Sequence, residues 1–62
     1  MIGKNIKKIR QQKKLSQEKL ARSADISLNT LTKIESGFTK RPSLQTIQIA
    51  DVLGVTIDEL FN

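Results

Sequence analysis

The chain has 62 residues, enough for one small domain, and it contains no cysteine and no histidine. Disulfide bonds and the common structural zinc sites are therefore excluded, and the fold must be stabilised by one small apolar core. The net charge is +5 at pH 7, and all eleven Lys and Arg residues lie within residues 1–41.

The charge distribution divides the chain into a basic and an acidic part. Residues 42–62 contain three acidic residues and no basic one. A basic segment attracts polyanions and favours phosphate contacts, although a solvated, solubilising surface is the alternative interpretation. The sequence has neither a membrane-spanning apolar run nor a signal peptide, so we expect a cytoplasmic protein.

The first half of the chain predicts three helices. Ile2, Ile6 and Ile9 have the i, i+4, i+7 spacing of one apolar stripe, on a helix that runs to about Lys14. Ser16 is a favourable N-cap for a second helix, which ends near residues 24–25, where an aspartate can adopt the left-handed conformation of a turn. A third helix is expected from a Ser27 N-cap to a stop at Gly37. Residues 16–36 therefore predict a helix-turn-helix.

The second half predicts two more helices after a basic loop at residues 38–42. Ser43 is the N-cap of a fourth helix, which ends at Gly54 and whose inward residues are predicted to be Leu44, Ile47, Ala50 and Leu53. Residues 56–59 form a capping box that begins a short fifth helix ending at residues 60–61. Strand alternation is absent, so the predicted fold is all-α, with five short helices in one domain spanning residues 1–62. The sequence fits both a complete small protein and the N-terminal part of a longer one.

The third helix has the composition of a base-reading helix. Leu31 and Ile34 define its buried face, and Asn29, Thr32, Lys33 and Ser36 then lie outside that face. In a DNA major groove an asparagine can pair with adenine N6 and N7, and a lysine can donate to guanine O6 and N7. Leu28 either contacts a thymine methyl group or belongs to the core. An ordinary solvated helix face is the alternative for the polar positions.

Phosphate contacts are expected on either side of this helix. Gln17, at the start of the second helix, can donate its side-chain amide to a phosphate beside the free N–H groups of the helix end. Thr39, Lys40 and Arg41 lie in the loop where a DNA backbone would pass. Arg10 and Glu35 have a different predicted role, because packing of the first helix on the third would bring them together as a partly buried, structural ion pair.

Four motifs together resemble the lambda-repressor-like family of helix-turn-helix domains, which includes phage repressors, Cro proteins and many bacterial regulators. They are S-Q-x-x-L-A at 16–21, L-x-x-I-E-x-G at 31–37, T-K-R-P at 39–42 and L-G-V at 53–55. The resemblance covers essentially the whole chain. It implies a compact five-helix domain that binds a two-fold-symmetric operator as a homodimer, with helix three in the major groove.

The resemblance also implies individual residue roles. Ser27 joins the residues that face base edges, which are then Ser27, Leu28, Asn29, Thr32 and Lys33. The phosphate-contacting set becomes Gln17, Ser36, Thr39, Lys40, Arg41 and Ser43. Dimer contacts in such domains tend to involve the last helices, so the candidates here are Val55, Ile57, Leu60 and Phe61, each of which could equally be core.

Two departures from the family pattern have consequences. Asp25 occupies the turn position where the family usually has glycine, at a small expected cost in stability. Leu28, Asn29 and Lys33 differ from the glutamines found in related repressors, so the recognised base sequence must differ as well.

The leading hypothesis is a bacterial or phage transcription regulator that acts as a repressor, without catalysis, metal, cofactor or small-molecule substrate. The second hypothesis is a protein-interaction module of the same fold, of antitoxin, controller or co-activator type, with loose nucleic-acid binding. A non-specific RNA or architectural DNA binder fits less well, because the two aromatic residues, Phe38 and Phe61, offer no stacking platform.

Overall fold

The computed structural model describes residues 2–38 and 41–61 and shows five α-helices there. They are α1 (Ile2–Gln12), α2 (Gln17–Ser23), α3 (Leu28–Glu35), α4 (Leu44–Leu53) and α5 (Ile57–Phe61). No strand occurs within these ranges, which confirms the predicted all-α class. None of these helices is long and apolar enough to cross a membrane.

All five helices contribute to one apolar core. Its largest fully buried apolar side chains come one or two from each helix: Ile6, Leu20, Leu31, Ile49, Leu53 and Leu60. Small residues at 21, 24 and 50 let the helices approach each other. Leu60 is completely buried, so it belongs to this core and is removed from the candidate dimer contacts. Val55, Ile57 and Phe61 pack against the core and stay partly accessible.

The first four helices end in the same hydrogen-bonded motif, with a left-handed residue just beyond the helix. That residue is glycine after α3 and α4, Lys14 after α1 and Asp25 after α2. At Lys14 the motif closes when Leu15 N–H donates to the Arg10 carbonyl, so α1 ends at Gln12, two residues before the predicted end. The left-handed turn predicted at Asp25 is confirmed, with φ of 59°.

Gly3 sets the distance between α1 and the end of α3. A Cβ atom built at this position would lie 2.6 Å from the Glu35 carbonyl oxygen and 2.7 Å from that of Ile34. Both obstacles are backbone atoms, which cannot rotate away. The close contact brings the first turn of α1 directly onto the end of α3, and the sequence patterns gave no indication of it.

The orientation predicted for α4 is partly wrong. Ala50 and Leu53 are buried as expected, but the side chains that complete this face are Thr46 and Ile49. Leu44 and Ile47 lie on the other side of the helix and are 69% and 47% exposed. Thr46 can be buried because its hydroxyl donates to the Ser43 carbonyl at 2.9 Å and accepts from the Ser43 N–H at 2.7 Å.

The last helix is attached at both ends. Thr56 and Glu59 form the predicted capping box, with Glu59 N–H donating to the Thr56 hydroxyl at 3.2 Å and Thr56 N–H donating to the Glu59 carboxylate at 3.4 Å. Near the end of α5, the Leu60 carbonyl accepts a hydrogen bond from Asn5 Nδ2 of α1 at 2.7 Å. These contacts hold a five-residue helix that would not be stable alone.

We expect Gly3→Ala to lower the free energy of unfolding by about 2 kcal/mol, because the new methyl group would force α1 away from the α3 backbone. Urea unfolding followed by circular dichroism measures the change. Lys4→Ala, at the adjacent exposed position, is the control and should be nearly neutral. Equal stability of the two variants would show that the close approach imposes no constraint.

We expect Asp25→Gly to raise the free energy of unfolding by about 0.5–1 kcal/mol, because glycine adopts the left-handed conformation without the Cβ penalty. Ser23→Gly is the matched control. Ser23 lies in the last turn of α2, where the added backbone entropy of glycine should lower stability. Thermal unfolding should therefore shift in opposite directions for the two variants, and a shift in the same direction would contradict the assignment.

Candidate nucleic-acid interface

The third helix presents its polar residues outward. Leu31 and Ile34 are buried in the core, whereas Asn29 and Lys33 are exposed. Leu28, for which the sequence left two alternatives, is 44% exposed and therefore faces outward for the most part. The outer surface of α3 thus carries an amide, an ammonium group and a leucine, which is a mixed polar and apolar surface of the kind that contacts base edges.

The hydroxyl groups of α3 are committed to the helix itself. Ser27 caps the helix by accepting from Thr30 N–H at 3.0 Å and donates to the Thr30 hydroxyl at 2.7 Å. Thr32 Oγ1 donates to the Leu28 carbonyl at 2.9 Å, and Ser36 Oγ donates to the Thr32 carbonyl at 2.7 Å. In this arrangement Ser27, Thr32 and Ser36 can offer only acceptor lone pairs to another molecule.

Asn29 and Lys33 differ from these hydroxyl residues. Within residues 2–38 and 41–61, neither side chain has a hydrogen-bond partner, so their donors face solvent. The two residues are four positions apart and lie one above the other on the same side of the helix. Asn29 and Lys33 are consequently the strongest candidates on α3 for direct hydrogen bonds to a ligand.

Behind this surface, Arg10 of α1 and Glu35 of α3 form an ion pair. Arg10 Nε lies 2.9 Å from Glu35 Oε2, and Arg10 Nη2 lies 3.4 Å from Glu35 Oε1. The side chains are only 10% and 5% exposed. Arg10 Nη1 also donates to the Leu15 carbonyl at 2.8 Å, just before α2. The pair therefore links the end of α1, the start of α2 and the end of α3.

Gln17 is attached to the same pair. Its Nε2 donates to Glu35 Oε1 at 3.0 Å, a contact that nothing in the sequence spacing of Gln17 and Glu35 indicates. The amide nitrogen carries two hydrogens, so one N–H remains for a second acceptor. Glu35 thus holds the half-buried Gln17 side chain in one orientation at the start of α2.

The residues predicted to contact phosphates are distributed over three places. Gln17 begins α2, and Ser36 follows α3 directly. Arg41 is exposed before α4, and Ser43 caps that helix by accepting from the Thr46 N–H at 3.3 Å. Thr39 and Lys40 lie outside the described residues. The lysines of α1, at positions 4, 7 and 8, are all exposed and add to the positive field.

The part of the chain that the structure describes contains no group of three His, Cys, Asp or Glu side chains that could hold a metal ion. An α3 that turns donors outward from a basic domain is a geometry for binding an anionic polymer. The sequence model of the helix-turn-helix family matches residues 6–60. The chain belongs to the helix-turn-helix family.

The chain is similar to several solved structures of the regulator SinR. The chain is 32% identical to the DNA-bound crystal structure of SinR, a master regulator for biofilm formation, covers 100% of both chains and gives a TM-score of 0.90. For the solution structure of the N-terminal DNA-binding domain of SinR from Bacillus subtilis, the identity is 32%, the TM-score 0.86 and the coverage 100% of this chain and 91% of that one. The fold is thus the expected lambda-repressor-like one.

A third similar structure is a complex of the SinR and SinI proteins. Here the identity is 33% and the TM-score 0.88, with 100% of this chain covered. The chain spans only 61% of that longer chain. Among curated protein sequences, no relative matches this helix-turn-helix domain.

We expect Arg10→Met to destabilise this helix-turn-helix domain by about 3 kcal/mol, because it leaves the Glu35 carboxylate nearly buried without its cation. That loss is comparable with the whole stability of a domain of this size. Urea unfolding should show it, with Arg22→Met, an exposed arginine in α2, as the control. The double variant Arg10→Met, Glu35→Leu should regain most of the loss, and an Arg10→Met variant as stable as the control would contradict the role of the pair.

Proposed function

We propose that this helix-turn-helix domain is a sequence-specific DNA-binding transcription regulator, a repressor that binds a two-fold-symmetric operator as a homodimer. The observation that carries the proposal is the pair of outward donors, Asn29 and Lys33, on the helix that follows the turn. The DNA complex of SinR, which is 32% identical over the full length of this chain, supports it. The domain acts by binding in the cytoplasm of a bacterium or in a phage-infected cell, and catalyses nothing.

In this proposal α3 enters the major groove with its outer face toward the base edges. Asn29 pairs with an adenine through N6 and N7, and Lys33 donates to a guanine. Leu28, with 44% of its surface exposed, packs against a thymine methyl group. Ser27 and Thr32 accept from base amino groups, because their hydroxyl hydrogens are used within the helix.

Phosphates on both sides of the groove fix the orientation of α3. The second N–H of Gln17 donates to one phosphate, and Glu35 keeps that amide in place before DNA arrives. Arg41, Ser36 and Ser43 contact phosphates on the other side. Thr39 and Lys40, which lie outside the described residues, are proposed as phosphate contacts from the sequence. These contacts add affinity without sequence information, and they make binding fall as salt concentration rises.

A protein-interaction module is the second candidate, favoured by one observation: a similar chain occurs in the SinR and SinI protein complex. In that case the basic surface would bind nucleic acid weakly, and the specific partner would be a protein. A regulator should bind specific sites on duplex DNA alone, whereas an interaction module should not. A DNA-binding experiment can therefore distinguish the two functions.

Selection of bound duplexes from a random pool, at a fixed salt concentration, tests the proposal. We expect an enriched site with two-fold symmetry. Asn29→Ala and Lys33→Ala should each lose about 1–3 kcal/mol of discrimination at one position of the half-site, while the rest of the preference is kept. Lys8→Ala, which removes one charge in a groove lined also by Glu59 of α5, is the charge-matched control and should keep the full preference.

Each result of the selection decides between the functions. Enrichment of a symmetric site whose bases change with Asn29 and Lys33 supports the regulator. Binding without enrichment indicates an architectural protein, and absence of binding indicates the interaction module. Preferences unchanged in both alanine variants would overturn direct readout by α3.

A further inference from the structure

Two of the four large apolar side chains that are exposed within the described residues lie on the outer face of α4, which the proposed DNA interface does not use. Leu44 and Ile47 are one turn apart, and they are 69% and 47% exposed. The opposite side of the helix, which carries Ile49 and Leu53, already fills the core. An amphipathic helix normally exposes polar residues on its outer side, so a second apolar stripe on α4 requires a separate explanation.

Charge indicates what covers this stripe. Residues 42–50 form a stretch without a single charged side chain, in a protein with a net charge of +5 and eleven basic residues before it. Two copies with this net charge repel each other overall. The uncharged stretch is a region where two copies can approach without bringing like charges together. We infer that Leu44 and Ile47 form the contact between two copies of this domain on DNA.

The charges that flank the stretch favour an antiparallel, two-fold arrangement. Arg41 lies exposed on its N-terminal side and Asp51 lies exposed on the outer side of α4, ten residues later. When two α4 helices cross antiparallel about a two-fold axis, Arg41 of one copy comes near Asp51 of the other. A parallel arrangement would put like charges together. The surface is therefore self-complementary, as a two-fold contact requires.

The position of α4 in the chain fits this arrangement. Residues 36–43 separate it from the end of α3, and in two-fold complexes of helix-turn-helix domains the two recognition helices read half-sites about one helical turn apart. Because only two large side chains per copy take part, the contact is far below the area of a stable dimer. Dimerisation should therefore depend on DNA, which raises the effective concentration of the second copy.

This inference rests on the proposed DNA binding, and it replaces the last helix as the location of the dimer contact. The sequence resemblance implied contacts at residues 55, 57, 60 and 61, of which Leu60 is buried. Val55 and Ile57 pack against the core, whereas Leu44 is the more exposed side chain. Leu44 and Ile47 lie in α4, whereas Val55 follows α4 and Ile57 begins α5. Substitutions can therefore test the two candidate dimer contacts separately.

Single cysteines provide the test, because the chain contains none of its own. Each cysteine variant is mixed with two duplexes obtained by selection, one with a single half-site and one with the symmetric pair. The variants are Leu44→Cys, Ile47→Cys, Val55→Cys, Ile57→Cys and the exposed control Lys19→Cys. Under mild oxidation, the cysteine at 44 or 47 should form a disulfide-linked dimer at least about tenfold faster on the paired site than on the single half-site. Faster linkage at 55 or 57 than at 44 and 47 would overturn the inference.

A binding measurement complements the linkage. The double variant Leu44→Gln, Ile47→Gln should bind the single half-site like the unchanged protein, but lose about tenfold or more in affinity for the paired site. Thermal unfolding checks that these exposed substitutions leave the fold intact. Unchanged affinity for the paired site would overturn the α4 contact while the regulator function stands.

Failure of the proposed function gives a different result. In that case the selection enriches no site, so neither the half-site duplex nor the paired duplex is available. The cysteine variants are then oxidised without DNA at about millimolar concentration, where a weak dimer is populated. Preferential linkage at 44 or 47 would still support the α4 contact, and its absence there would overturn it.

Discussion

The nearly buried ion pair of Arg10 and Glu35 is the interaction on which the rest of this domain depends. It connects the end of α1 to the end of α3, and through the Leu15 carbonyl and Gln17 it connects both to the start of α2. The core of buried apolar side chains is small, and apolar contacts are non-directional. Directional hydrogen bonds from one guanidinium and one carboxylate add a defined orientation to the packing of these helices.

The same network distinguishes the structural residues of the helix-turn-helix from its candidate binding residues. The charged groups of Arg10 and Glu35 hydrogen-bond to each other and to neighbouring elements, so both side chains can be nearly buried. Asn29 and Lys33 lie in α3, as Glu35 does, but their side-chain donors face solvent. Gln17 belongs to both groups, since one N–H of its amide is used internally and the other is available. A site built in this way is oriented before a ligand arrives.

Much of this fold could be predicted from local sequence signals, because helix ends are determined by short-range hydrogen bonds. Ser16, Ser27 and Ser43 cap the helices that they were expected to cap, and the Asp25 turn is where it was expected. The face of α4 was wrong for a physical reason. Two faces of α4 have helical apolar spacing, one with Leu44 and Ile47 and one with Ile49 and Leu53. Which face is buried depends on Thr46, because its hydroxyl has a local hydrogen-bond partner and can therefore be buried beside Ile49. Contacts across the fold, such as Gly3 with Glu35 and Gln17 with Glu35, leave no periodic trace in the sequence.

The length of α3 limits how much a single domain can distinguish. Its eight residues extend for about 12 Å, which corresponds to roughly four base pairs along a duplex. A given four-base-pair sequence occurs by chance about once in 250 positions, whereas a genome offers about a million or more competing positions. A helix this short reads too few bases to specify a single genomic site. Two copies of the same short sequence at a fixed spacing are the simplest way to make the complete site rare.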